Sequence, residues 1–439
     1  MKKSLFSLIG MLAVAFAPQA LALPAFARQT GMECNACHQQ HFPVLNSFGR
    51  AFKAGGYTMM GAQGLVEGEH LSVPVSLNAS ILIKMRYQRQ SNGGQGLRDG
   101  VKGTAPGDGM WQMGDEFSLF FGGRIAENIG FLMEGNVAAA AGPLVAGLRV
   151  PIMFDMTGSK ISAIPFTTDA LGVSYGYELS SAGVMRANRW AELRRDASAI
   201  QYAIADGNGS HGAWKGAAAG VAFVVQNDMG FINYSRWMPN PLPGGNAGET
   251  PSFSPESNYL RIAATPTVGD WAIVGGVGMM SGLSELAGAG TAGVTGSALV
   301  KTEATFADLQ AHGQVAGKDI GVYVTYAKAP VAQAGGQPQL FNAGIKDKSS
   351  FAAGVDYSVI PRVLHIGGAY RQGQTGAAST ADPSASTTDN AIMLQAIYDL
   401  TQNVALHATA ASRNGTKYSE APSNATGAKE YILMLEAAW

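Results

Sequence analysis

The chain has 439 residues, 30 Lys and Arg against 31 Asp and Glu, a net charge of −1 and only 14% charged residues. A typical soluble protein carries about 25%, so the composition points to a very large core or to a membrane. It excludes a nucleic-acid binder held by a basic field and an acidic disordered chain.

Lys2 and Lys3 precede an apolar run from Leu5 to Ala17, and Ala20-Leu21-Ala22 follows as an A-x-A cleavage site. This is the pattern of a secretory signal peptide over residues 1–22. The apolar run falls short of the roughly 20 residues a spanning helix needs. The most apolar later stretch, Gly216 to Val225, is short and rich in alanine and glycine. An exported protein without a helical span is expected.

The two cysteines of the chain are Cys34 and Cys37, and His38 follows at once. Cys-x-x-Cys-His is the attachment signature of c-type haem. Two thiols at this spacing can meet the two vinyl groups of one porphyrin, and the next imidazole falls beneath the iron as proximal ligand. A thioredoxin-like site would sit near a βαβ pattern, and zinc would need further cysteines or a paired histidine. Neither is visible, and export suits haem c.

Beyond the motif, Val44, Leu45, Phe48 and Phe52 share one helical face. Pro43 suits the first turn, and Gly55-Gly56 suits the end. Arg28, Arg50 and Lys53 are candidates for pairing with haem propionates or for solvated surface charge. For the distal ligand, His41 lies only three residues past His38 and stays on the proximal side. Met59, Met60 and His70 lie far enough along to wrap around the ring, and Met59 is favoured over Met60.

From about residue 70 the apolar period becomes two: Leu71, Val73, Val75, Leu77, Ala79, Ile81, Ile83, Met85 and Tyr87 alternate with mostly polar residues. One continuous strand of this length suits a tilted membrane barrel. Tight links at Ala126–Ile129, Asn227–Met229, Val268–Asp270, Val315–Lys318, Ile360–Arg362 and Thr401–Asn403 alternate with long polar or Gly-rich stretches. Short turns at one end and long loops at the other mark outer-membrane barrels, with the short turns facing the periplasm. The chain ends on Tyr431, Leu433, Leu435, Ala437 and Trp439, an every-other-residue apolar strand closed by an aromatic. About 16 strands are expected, an even number. The stretch Asp155–Ile204 is the hardest to assign, and Arg189–Asp196 within it suits a loop or short helix. The expected fold is all-β: a transmembrane antiparallel β-barrel over residues 70–439, with a small α-helical cytochrome c-like segment over residues 23–69 plugging the lumen or its periplasmic mouth.

The segment Pro24-Ala25-Phe26-Ala27-Arg28-Gln29-Thr30-Gly31, followed by Cys34-x-x-Cys37-His38, Phe42-Pro43, Leu45-Asn46, Phe48-Gly49-Arg50, Phe52-Lys53 and Gly56-Tyr57-Thr58-Met59, resembles the fused outer-membrane monohaem cytochrome c–porin family of iron(II) oxidases. Over the barrel the resemblance is one of architecture and length. It implies one haem c held by Cys34 and Cys37, with His38 proximal and Met59 the favoured distal ligand. It implies an iron(II):cytochrome c oxidoreductase of the outer membrane with no catalytic residue beyond the haem iron. Electrons would pass from extracellular Fe(II) to a periplasmic c-type cytochrome, in a protein that contacts outer-membrane lipid and no nucleic acid. The loop acids Asp99, Asp108, Glu249, Glu256, Asp382 and Glu420 are scattered and form no metal-ligand cluster. The alternative is a haem-plugged porin with transport or redox sensing as its main role.

Overall fold

The computed structural model describes residues 24–61, 63–69, 71–91, 109–137, 145–169, 171–181, 199–205, 216–239, 256–286, 298–420 and 428–439. The signal-peptide residues 1–22, His70 and Arg189–Asp196 lie outside the described residues.

A strand with one apolar and one polar face must bury one and solvate the other in lipid. The chain does so by closing one antiparallel barrel in which three strands are each broken into two segments, giving a wall of sixteen. The last strand, Lys429–Ala438, pairs with Ala79–Gln90 to complete the ring. Ile81 and Trp439 exchange two backbone hydrogen bonds, of 2.7 and 3.0 Å, at the seam. Among the described residues closure leaves the barrel wall without a free strand edge, which a bilayer would penalise by several kcal/mol per unpaired group.

Ile392, Leu394, Tyr398 and Leu400 on one strand, and Tyr431, Leu433 and Leu435 on the last, face outward and are exposed. Their neighbours Met393, Gln395, Ile397 and Asp399, and Ile432, Met434 and Glu436, are buried inside. The exterior is therefore an apolar belt and the interior carries the polar groups. Tight links between paired strands fall at 126–129, 156–159, 227–230, 315–318, 360–364 and 401–404, all at one end.

Two local expectations differ. The alternation from Leu71 to Tyr87 is not one strand: Leu71–Pro74 pairs with Leu65–Gly68 in a separate hairpin, and the barrel wall starts at Ala79. Pro74 has no N–H for a ladder, and periodicity alone does not reveal that break. The helix after the Cys-x-x-Cys-His motif starts at Ser47, not near Pro43. Asn46 caps it by accepting a 2.9 Å hydrogen bond from the Gly49 N–H, while Leu45 bridges back to His38 in extended form.

The lumen is packed. After the strand Ser159–Thr168 the chain turns inward, and Val173, Tyr175, Tyr177 and Glu178 are buried within the barrel. Glu178 and Asp308 flank Arg261, at 3.0 and 2.7 Å, with all three side chains fully buried. The Ala199 N–H donates to Thr325 Oγ1 at 2.9 Å, and the Tyr202 ring sits 3.9 Å from the Arg371 guanidinium carbon. Leu340 and Phe341 join the same hydrophobic cluster.

Two outcomes follow from this wall and filling. Leu394→Arg, on the lipid face of a central strand position, should destabilise the folded barrel by about 2–4 kcal/mol, read by denaturant unfolding in lipid vesicles. Arg261→Met leaves two buried carboxylates without their shared cation, a loss of about 3–5 kcal/mol. It should release the inward segment and raise single-channel conductance in planar bilayers while the barrel stays closed.

Candidate functional site

The N-terminal segment is built of short helical pieces: Ala25–Thr30, a turn over Cys34–Cys37, and Ser47–Ala54. Gly31 ends the first in the left-handed conformation, at φ 73°. The His38 N–H donates to the Cys34 carbonyl at 3.0 Å, so Cys34 and Cys37 occupy one helical turn and share a face. Asn46 ties this turn to the next helix: its N–H donates to the Cys37 carbonyl at 3.0 Å and its Nδ2 to Ala36 at 3.0 Å. Gly49 lies against the same turn, and a Cβ there would collide with the Cys37 carbonyl.

Both cysteines are free thiols. With His38 they line a cavity of about 380 Å³, within the usual range of about 300–1,000 Å³ for ligand sites. Phe26, Phe42, Leu45 and Phe52 supply apolar wall from the segment, and Phe120 and Leu132 supply it from the barrel. Burial pushes both thiols above their ordinary range. Burial also lowers the His38 pKa to about 4, so the imidazole is neutral at physiological pH. His38 Nδ1 lies 3.3 Å from the Val44 carbonyl. With Nδ1–H donating there, Nε2 keeps its lone pair, as a metal-ligating histidine requires.

Lys53, Lys84 and Arg149 bring three basic side chains to the cavity wall, beside Glu33, Glu116, Glu134 and Glu178. Burial first, and then neighbouring Arg149, hold the Lys53 ammonium well below its ordinary range, while Glu178 opposes them. Arg149 also lies over the rings of Tyr57 and Tyr175, 5.3 and 4.7 Å from their centroids. Two thiols, a neutral imidazole and apolar walls together fit a covalently attached porphyrin.

The segment sits inside the barrel at the short-turn end. Gln29 contacts Asn78 and the Arg124 N–H. Gln226 donates to the Ala54 carbonyl at 2.6 Å, and Arg50 donates to His312 Nδ1 at 3.0 Å. Gln40 donates to the Asp319 carbonyl at 3.0 Å, and His41 lies 2.7 Å from Asp399 and 3.1 Å from Glu436.

Cys34, Cys37 and His38 are thus brought together, and Lys53 joins them. Met59 and Met60 do not line the cavity. Met59 is 37% exposed, and its carbonyl accepts from Gln29 as the chain runs back along the first helix. Arg28 donates to the Ala79 carbonyl and Arg50 to His312, so both anchor the segment to the wall. Burial lowers the Arg50 pKa to about 10. Met32, Arg149 and Glu178 line the cavity without having been expected there. Only the closeness of Met32 to Cys34 is a local signal. Of the loop acids, Glu420 accepts from Ser379 and Thr380, and Asp382 from Ser384. Asp99, Asp108 and Glu249 lie outside the described residues.

No protein-family model matches the chain, and no curated protein does. Among solved structures the chain is similar to the outer-membrane expressed OmpT of Vibrio cholerae, at 12% identity, covering 86% of this chain and 100% of that one, with a TM-score of 0.45. It is also similar to an anion-selective porin from Comamonas acidovorans, at 12% identity over 83% and 99% of the two chains, TM-score 0.47. The outer membrane channel DcaP of Acinetobacter baumannii matches at 9% identity over 83% and 97%, TM-score 0.47.

The cavity geometry is testable by substitution. Gly49→Val forces the Ser47–Ala54 helix away from the Cys37 carbonyl and, where Cys34 and Cys37 hold haem, should reduce haem content per chain several-fold. The loss is measured by haem-stained gels at equal barrel yield. Lys53→Met, which removes neither a thiol nor the imidazole, should leave any covalent haem stain intact.

Proposed function

We propose that the protein is a member of the fused cytochrome c–porin family and works as an electron conduit of the outer membrane. It takes one electron at a time from extracellular Fe(II), which becomes Fe(III), and delivers it to a periplasmic c-type cytochrome. The observation that carries this reading is the meeting of Cys34, Cys37 and the His38 imidazole on one apolar cavity inside a closed barrel. A haem c bound there supplies a one-electron couple. The chain's own residues do the rest. Cys34 and Cys37 would hold it covalently, His38 Nε2 would offer a neutral nitrogen ligand, and the phenylalanine walls would limit access of water. Arg149 would offset negative charge on the group. Met59 remains the proposed distal ligand by resemblance, with Met60 as its alternative. Reaching the cavity would require residues 57–61 to move from their seat on the first helix. The buried aromatics Tyr175, Tyr177, Phe231, Tyr259 and Phe306 continue from the cavity wall into the packed lumen. The exposed apolar belt supports the membrane location.

A second reading, a haem-plugged porin serving mainly transport or redox sensing, is favoured by the architecture itself. Barrels of about 16 strands commonly leave an aqueous channel, and here a solute would pass beside the plug and the inward segment. Mixing purified, oxidised protein with Fe(II) under anaerobic conditions should shift the haem absorbance to the reduced form within seconds. Failure to reduce, together with porin-sized conductance in planar bilayers, would overturn the conduit in favour of the porin.

A further inference from the structure

A second cluster of chemistry-bearing side chains lies outside the haem cavity, at the seam between the plug and the last strands. His41, His407 and Glu436 bring one donor atom each to within 4.8 Å of one another. Their side chains are 3%, 2% and 0% exposed. His407 and Glu436 come from adjacent strands: His407 pairs with Met434, two residues before Glu436, so both point inward on the diagonal. His41 arrives from the plug, three residues past His38.

The two oxygens of Glu436 divide their work. Oε2 faces Lys84 Nζ at 3.8 Å, and that ammonium is held by Glu116 at 2.5 Å. Oε1 faces both imidazoles, His41 Nε2 at 3.1 Å and His407 Nε2 at 3.7 Å. The second distance is longer than a hydrogen bond. Two ring nitrogens therefore converge on one carboxylate oxygen.

Behind this trio stands an outer layer. Asp399 Oδ1 lies 2.7 Å from His41 Nδ1, Asp399 Oδ2 lies 2.9 Å from His365 Nε2, and His365 Nδ1 lies 2.9 Å from Ser358 Oγ. A carboxylate on the far nitrogen of an imidazole fixes its orientation and raises its basicity as a ligand. Two histidines and one carboxylate on one side of a site suit divalent first-row ions and leave coordination positions open.

We infer that His41, His407 and Glu436 form a binding site for a divalent first-row transition ion, with Asp399 orienting His41. The site clamps the plug to two wall strands, because its ligands come from all three. It stands whether or not the neighbouring cavity carries a porphyrin.

The test uses Zn(II), which is distinguishable from haem iron. Purified full-length protein in detergent is dialysed against Zn(II), and bound zinc is measured by elemental analysis. One zinc per chain is expected. The near-isosteric Glu436→Gln and the variant His407→Ala should each weaken binding of that zinc at least tenfold, and Asp399→Asn by about 10–100-fold. The gel mobility of the closed barrel reports folding in each case. Absence of bound zinc in the unaltered protein overturns the site. Equal zinc in the unaltered protein and a folded Glu436→Gln variant does so as well.

Discussion

Everything in this molecule depends on one backbone requirement: inside a bilayer each strand must find a hydrogen-bonded neighbour on both sides. The pairing of Lys429–Ala438 with Ala79–Gln90 meets that requirement and turns a sheet into a ring. Once the ring exists, each strand has a lipid side and a lumen side, and charge on the lipid side costs about 2–4 kcal/mol at the midplane. Half of each wall strand is thereby closed to Lys, Arg, Asp and Glu. The 14% charge content is the compositional trace of that exclusion.

The lumen has the opposite problem. Its polar side chains are shielded from bulk water by the plug and by the inward segment, so they must satisfy each other. Arg261 holds two carboxylates, and Asp389 holds Arg371 at 2.9 Å and Lys417 at 2.7 Å. The N-terminal segment is too short to build a core alone; chains below about 40 residues rarely fold without a covalent or metal staple. Here the barrel completes it, supplying Phe120, Leu132 and Arg149 to a cavity whose thiols and imidazole come from the segment.

What was legible in the sequence is what short spacings encode. The Cys34-x-x-Cys37-His38 motif, the period of two and the tight links at 126–129, 315–318 and 401–404 are each contained within a few residues. All reappear as a shared cavity wall, inward and outward faces, and hairpins. Features decided by distant packing were not legible. Nothing near Arg149 in the chain announces that it will meet Lys53, and nothing near Glu178 announces that its loop will fold inward onto Arg261. The alternation through Leu71–Leu77 looked like barrel wall because periodicity reports a strand, not the sheet it joins. The preference for Met59 rests on chain length and on the resemblance of Gly56-Tyr57-Thr58-Met59 to the family. Chain length permits a wrap without directing it, and in this structure the Tyr57 and Met59 carbonyls accept from the Gln29 side chain.

The contacts from plug to wall have a mechanical consequence. They leave the segment in several directions: Gln29 toward Asn78 and Arg124, Ala54 toward Gln226, Arg50 toward His312, Gln40 toward Asp319, and His41 toward Asp399 and Glu436. A hollow ring of sixteen strands can flatten into an ellipse by bending its hairpins slightly. A ring fixed to a hub by radial spokes cannot flatten unless some spokes stretch or break. The plug therefore acts on the barrel as a wheel hub acts on its rim, holding the cross-section round at the short-turn mouth.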